Sequence, residues 1–181
     1  FSKIIAAQTL FWKWAGYHFG KRTLQTGINP DRGLKKYLKD RLLLISYANA
    51  FKISDKIIKN TLHPFRKKKN VHFIGYPSSI FSYAKYAEKL GINDVSFESV
   101  ISLGDKMFPN YRFLIEKIFN TEVFDTYGAA EGLMVAGECQ SHKYHILSSH
   151  VYIEIVDDDG NTVPDGTLGQ VVVTSLDNYL M

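Results

Sequence analysis

The feature that most constrains the fold is the rhythm beginning at Val71, where short apolar runs alternate with helical stretches as far as Phe124. Val71-His72-Phe73-Ile74 reads as a buried strand that breaks at Gly75-Tyr76-Pro77. Ser78 starts a helix carrying Ile80, Phe81, Ala84, Ala87 and Leu90 toward a Gly91 cap. A second strand near Phe97 to Leu103 ends at Gly104, a second helix covers Tyr111 to Phe119, and a third strand follows at Val123-Phe124. Alternation of this kind requires crossover connections, which are right-handed, and therefore predicts an α/β fold with a parallel sheet and flanking helices. Ligands bind such sheets beyond the carboxyl ends of the strands, so the loops at Gly75, Gly104 and Tyr127-Gly128 are expected side by side.

Upstream, Ile4, Ala7, Phe11 and Trp14 recur at helical spacing until Gly16. A turn-rich passage runs through Gly20, Gly27 and Asn29-Pro30, Asp31 is placed to cap a short helix over Leu34 and Leu38, and Leu42 to Ile45 reads as a buried strand. Ser54 or Asp55 caps a helix whose Ile57, Ile58 and Leu62 share one face. After His145 the period becomes two, with Val151, Ile153 and Ile155 alternating before turns at Asp157 to Asn161 and Pro164-Asp165-Gly166, and Gln170 to Val173 following. That pattern predicts antiparallel strands. The expected division is an α/β part over residues 1–140 and a small antiparallel β subdomain over residues 141–181, each incomplete at its outer end.

Of the 181 residues 45% are hydrophobic, enough for a core, which sets disordered and collagen-like classes aside. No run approaches the roughly 20 apolar residues of a spanning helix, so no membrane is expected. Cys139 is the single cysteine, which excludes an internal disulfide and makes the cytoplasm the default compartment. The net charge of +4 conceals two halves: residues 1–70 carry 16 Lys/Arg against 3 Asp/Glu, or +13, leaving 6 against 15, or −9. Such asymmetry marks either a phosphate or nucleic-acid surface or solvated helix faces. The lysines alternate with apolar residues at helical spacing, and no aromatics are interleaved with Arg66 to Lys69, so solvated faces are favoured and a nucleic-acid partner is not expected.

Chemistry concentrates in Val123-Phe124-Asp125-Thr126-Tyr127-Gly128-Ala129-Ala130-Glu131-Gly132. A strand delivers Tyr127 to the sheet's binding edge, Gly128 permits a sharp turn, and Glu131 follows. An exposed aromatic face suits a purine, and a carboxylate suits magnesium, which prefers oxygen ligands and substrate phosphates. A buried tyrosine with a solvated glutamate is the alternative on spacing alone. A further group, Glu138, Cys139, His142, His145 and His150, offers donor types that suit zinc, against the simpler reading of satisfied histidines in a β subdomain.

The decapeptide resembles the signature of the adenylate-forming superfamily, in the phenylacetate–coenzyme A ligase-like branch that includes CapK-type capsule proteins. Gly75-Tyr76-Pro77-Ser78, Ser102-Leu103-Gly104-Asp105, Glu138-Cys139 with Tyr144-His145-Ile146, and Leu168 to Thr174 resemble further motifs of that branch in the same order. The resemblance runs from about Phe11 to Met181. It implies an ATP-dependent, AMP-forming ligase that joins a small carboxylic acid to a thiol, with ATP, Mg²⁺ and coenzyme A, in capsular or surface polysaccharide biosynthesis. It assigns adenine stacking to Tyr127, the adenine-pocket loop to Gly104 and Asp105, and a base contact to Asp125. Thr126 and Gly128 belong to the same nucleotide-binding segment, and Glu131 becomes the catalytic, magnesium-binding carboxylate. Tyr76 falls on the loop expected near the acyl pocket.

Two positions depart from the branch: Ala130 stands where a Ser or Thr is usual, and Asp105 where a Glu is usual. The branch's phosphate loop would precede Phe1, and its ribose-binding aspartate and C-terminal catalytic lysine would follow Met181. The isolated chain is accordingly expected to be inactive. The alternative is a noncatalytic, nucleotide- or partner-binding member.

Overall fold

The computed structural model describes residues 2–28, 33–129 and 133–176. The chain opens with α1 (Ser2–Trp14), β1 (Arg22–Gly27), α2 (Leu34–Leu42), β2 (Ile45–Asn49) and α3 (Asp55–Leu62). It continues through β3 (Val71–Gly75), α4 (Pro77–Lys89), β4 (Ser99–Ser102), α5 (Pro109–Phe119) and β5 (Val123–Ala129). It closes with β6 (Leu133–Glu138), β7 (Tyr144–Ile146), β8 (Val151–Val156) and β9 (Gln170–Ser175).

Seven strands form one sheet in the order β2-β1-β3-β4-β5-β6-β7, and β8 and β9 form a second, antiparallel pair. The first five strands of the large sheet are mutually parallel, and β6 and β7 continue it antiparallel. The α/β fold is thus the one expected, with the sheet extended past β5 by a meander.

The central strands are buried on both faces. Phe73, Val100 and Val123 face Ile80, Tyr83, Ala84 and Ala87 of α4 and Ile115 and Phe119 of α5. The alternate residues Ile74, Ile101 and Phe124 meet Ala15, Tyr17 and Trp12 on the other side. This is why β3 and β4 read as continuous apolar runs, since a parallel sheet covered twice has no solvent face. Each fully buried Val, Ile or Phe among them contributes about 1.5–3 kcal/mol. Caps form where the sequence placed them: Ser54 Oγ accepts from the Ile57 amide at 3.4 Å, and Gly91 takes a positive φ of 64° just beyond α4.

Four elements differ from expectation. The passage around Gly20 to Gly27 holds the strand β1, whose Thr23 and Thr26 are buried beside Leu24. The run Leu42 to Ile45 is not one strand: Leu42 ends α2 and is 83% exposed, Leu44 turns the chain at φ 57°, and β2 begins only at Ile45. A short apolar run carries no periodicity by which strand and helix end can be told apart. β6 pairs with β5 as a hairpin and β7 pairs with β6, and neither had a counterpart among the expected strands. The expected cap Asp31 lies outside the described residues, and Gly33 stands at the N-cap of α2.

α1 lies across β6, where its Phe11 ring occupies the place a side chain at Gly137 would need, 2.4 Å from an added Cβ. The small sheet packs on β6 as well, through Val151, Ile153 and Val173 against Val135 and Ala136. Among the described residues no helix is long and apolar enough to cross a membrane.

Candidate functional site

A cleft of about 820 Å³ opens beyond the carboxyl ends of β4 and β5. Gly104 and Asp105 from the loop after β4, and Asp125, Thr126, Tyr127 and Gly128 from β5, all line it. These are the six residues that the sequence singled out for nucleotide binding, drawn together from two segments of the chain. Val135 and Ala136 of β6 with Ile153, Ile155 and Val171 of the small sheet form an apolar wall, and Tyr144 of β7 and Lys106 and Met107 of the loop after β4 also line it.

The glycines act through space and backbone conformation. Gly104 has φ 83°, a region costly for residues with a Cβ, and an added Cβ would lie 2.8 Å from the Tyr76 ring. Tyr76 itself stacks on Phe51 at 6.2 Å between centroids and sits behind the loop rather than in the cleft lining. Gly128 follows a break in the β5–β6 register, and a Cβ there would meet the Leu133 carbonyl oxygen at 2.8 Å. Extra residues in one strand bend it and re-aim its side chains. Tyr127, beside this bulge, is 50% exposed and lines the cleft, so part of its ring is free there.

Behind the cleft lies a polar network. Ser102 and Tyr144 each donate a hydroxyl hydrogen bond to the buried Asp125 carboxylate, one to each oxygen. Thr126 Oγ1 donates to the Ser102 carbonyl at 2.6 Å. Glu138, only 5% exposed, accepts from Arg112 Nη2 at 2.7 Å and from the Asp125 amide at 2.8 Å. Arg112 also donates to the Val123 carbonyl at 2.6 Å, which ties α5 to the start of β5. Burial, then the adjoining Asp125 carboxylate, pushes the Tyr144 phenol well above its ordinary range, so it stays a donor. At the loop after β4, Asp105 accepts from Ser78 Oγ at 2.5 Å.

Both oxygens of Asp125 are therefore engaged within the protein, although a carboxylate offers about four acceptor positions in all. Ala130 and Glu131 lie outside the described residues. Among the described residues no group of three or more His, Cys, Asp or Glu side chains is arranged to hold a metal ion. Within the cluster considered for zinc, Glu138 is instead committed to Arg112, and His145 packs edge-on against Trp14 at 5.2 Å. The Cys139 thiol is lowered to about 7, chiefly by facing backbone amides of Lys143 and Ser141 and then by His145.

Sequence reasoning did not find Tyr144, Arg112 or the inward role of Glu138. Tyr144-His145 was visible as a motif, but only the strand order brings it beside Asp125. Arg112 belongs to no motif and is a single cation in the helical stretch that begins at Tyr111.

Neither a protein-family model nor a curated protein matches the sequence. Solved structures do. The chain is similar to 2-hydroxyisobutyryl-CoA ligase in the postadenylation state in complex with R3-HIB-AMP, at a TM-score of 0.73 and 18% identity over 95% of this chain. It is also similar to the amide bond synthetase McbA from Marinactinospora thermotolerans, at 0.58 and 17% over 93% of this chain and 36% of that one. Apo MatB from Rhodopseudomonas palustris matches at 0.58 and 14% over 96% of this chain and 34% of that one. These likenesses establish the fold, and the chain spans 39% of the length of the 2-hydroxyisobutyryl-CoA ligase.

Proposed function

We propose that this chain is the central part of an ATP-dependent, AMP-forming carboxylate–CoA ligase, whose nucleotide sits in the cleft at the ends of β4 and β5. The observation that carries this reading is the convergence of Gly104, Asp105, Asp125, Thr126, Tyr127 and Gly128 on one cleft. It occurs within a fold shared over 95% of the chain with a ligase solved in complex with 2-HIB-AMP and CoA.

The cleft's chemistry suits an adenine nucleotide. Its volume of about 820 Å³ falls in the usual range for small-molecule sites. The half-exposed Tyr127 ring offers a face for the base, and Val135 and Ala136 give the cleft an apolar wall. In the proposed reaction a substrate carboxylate attacks the α-phosphate of ATP, forming an acyl-adenylate and releasing pyrophosphate. A thiol, coenzyme A, then displaces AMP and leaves a thioester. The residues of this chain position the reactants, which is the larger part of what such a reaction needs from protein.

Magnesium commonly takes one or two carboxylates together with substrate phosphates. Asp105 and Asp125 are bonded to hydroxyls inside the protein, so Glu131 is the motif's carboxylate proposed to hold the ion. When bound, magnesium would offset phosphate charge. The pathway proposed is capsular or surface polysaccharide biosynthesis in the cytoplasm, with the 181-residue chain inactive on its own.

A second reading, a noncatalytic member that binds nucleotide or a partner, is favoured by Ala130 in place of a phosphate-facing hydroxyl. Pyrophosphate release by the full-length parent, with Mg-ATP and a panel of aryl and sugar-linked acids, separates the two. Acid-dependent turnover that disappears in Glu131→Ala supports the ligase. Nucleotide binding without turnover on any acid selects the second reading, and absence of both sinks the nucleotide assignment.

A further inference from the structure

We infer that Tyr144 is a nucleotide-contacting wall of the cleft and that Glu138 is the positioning residue that sets it, acting through Asp125. This inference rests on the nucleotide reading of the cleft and adds two residues to it.

The geometry begins with a row of polar residues across four strands. Ser102 pairs with Asp125 in the β4–β5 register, and Glu138 pairs with Tyr144 in the β6–β7 register. Thr126 pairs with Gly137, so Asp125 and Glu138 are the next positions on β5 and β6. Residues opposite one another in neighbouring strands share a face of the sheet. Four polar side chains thus run in a line, one position beyond the apolar Ile101 of β4 and Phe124 of β5.

The line is joined by hydrogen bonds, not by the ladder alone. The β5–β6 ladder starts at Thr126, and the Asp125 amide donates to the Glu138 carboxylate at 2.8 Å. Glu138 substitutes for a strand carbonyl and fixes the backbone from which the Asp125 side chain projects. A buried carboxylate needs a compensating charge, and Arg112 supplies it from α5 at 2.7 Å. His142 Nδ1 lies 3.3 Å from the other Glu138 oxygen and 3.4 Å from Arg112 Nη1.

β7 is a three-residue edge strand, exposed throughout, paired with β6 on one side and touched from α1 by Trp14 against His145. The bond from the Tyr144 hydroxyl to Asp125 anchors the ring, one side of which lines the cleft. Tyr127 lines the same cleft from β5, two strands away. Two aromatic side chains on alternate strands of one sheet make a surface suited to a flat heterocycle.

The test uses the full-length parent with Tyr144→Ala, Tyr144→Phe, Glu138→Gln and the double variant Glu138→Gln/Tyr144→Ala. The KM for ATP, kcat for acid-dependent pyrophosphate release, the calorimetric Kd for ATP and Tm are measured for each. Tyr144→Ala is expected to raise the KM for ATP roughly tenfold, in the range of a lost aromatic–base stack, with kcat little changed. Glu138→Gln is expected to raise the KM by a smaller factor and to add almost nothing in the Tyr144→Ala background, the signature of two residues acting through one contact. Tyr144→Phe, which keeps the ring and loses its anchor, should fall between wild type and Tyr144→Ala.

A KM for ATP unchanged in Tyr144→Ala overturns the wall assignment. Additive effects of Glu138→Gln and Tyr144→Ala, or a Glu138→Gln variant that loses only Tm, overturn the positioning role. If the wild type binds ATP without turnover, the calorimetric Kd takes the place of KM in every comparison. A wild type that binds no ATP removes the nucleotide reading itself, an outcome distinct from wild-type binding left unaltered by Tyr144→Ala.

Discussion

Thr26 and Gly75 approach so closely at the ends of β1 and β3 that a Cβ on the glycine would lie 1.9 Å from the threonine Oγ1. The same oxygen accepts the Tyr76 amide at 3.2 Å, so it fixes where the chain leaves β3 for the loop behind the cleft.

Gly75→Ala should therefore force β1 and β3 apart and cost about 2 kcal/mol, the scale of overpacking in a closed core. Urea unfolding of the chain measures it. The same substitution in a Thr26→Ala background should cost less, because the closest atom is gone.

Arg112→Met leaves the Glu138 carboxylate buried without its cation and should destabilise the chain by about 3 kcal/mol. Neutralising the stranded partner in Arg112→Met/Glu138→Gln should recover part of that loss. Denaturant midpoints of the two single variants and the double variant decide it.

His72 gives the stability a pH dependence of known sign. Burial lowers its pKa to about 4, overcoming the attraction of Glu98, whose carboxylate lies 3.6 Å from Nε2. Below the unfolded value of about 6.5 the unfolded chain binds a proton that the folded chain refuses, so stability falls as pH drops from about 6.5 toward 4. Above that window His72 contributes no slope. Chemical denaturation between pH 4.5 and 7 should show a steeper loss for wild type than for His72→Gln, by up to about 3 kcal/mol.

Cys139 should react as a thiolate near neutrality. Its pKa of about 7, set by the backbone amides of Lys143 and Ser141 and by His145, predicts an iodoacetamide rate that reaches half its plateau near pH 7. His145→Ala should move that midpoint upward. An unmoved midpoint would remove His145 from the account.

Tyr127→Ala in the full-length parent should weaken ATP binding roughly tenfold while Tyr127→Phe keeps most of it, because the proposed contact uses the ring face and not the hydroxyl. Calorimetry reads both. Equal loss in the two variants would point to the hydroxyl and away from stacking.

The β3–α4–β4–α5–β5 core was legible because strands buried on both faces carry unbroken apolar runs and their helices carry a clear stripe, as in Phe73 against Ile80, Ala84 and Ala87 on one face while Ile74 meets Ala15 and Tyr17 on the other. β1 was hidden because two of its buried residues are Thr23 and Thr26, whose polar groups are satisfied inside and look like loop chemistry outside. The six residues proposed for nucleotide binding converge on one cleft because each lies on a strand end or loop whose place follows from topology. The network behind them was not legible, since Arg112, Glu138 and Tyr144 come from three elements whose contact depends on the order in which β5, β6 and β7 lie down, and no spacing along the chain encodes that order.

The strand order also bears on how the chain assembles. β5, β6 and β7 each pair with their sequence neighbour, whereas Arg22 must wait for Val71 before β1 can join β3. Distant pairings carry a loop-closure cost before any reward, so local meanders form early and parallel crossovers late. The β5–β6–β7 side of the cleft is therefore the part of the sheet able to exist first, a template against which the crossovers close, and the seam between β1 and β3 is the last to be sewn.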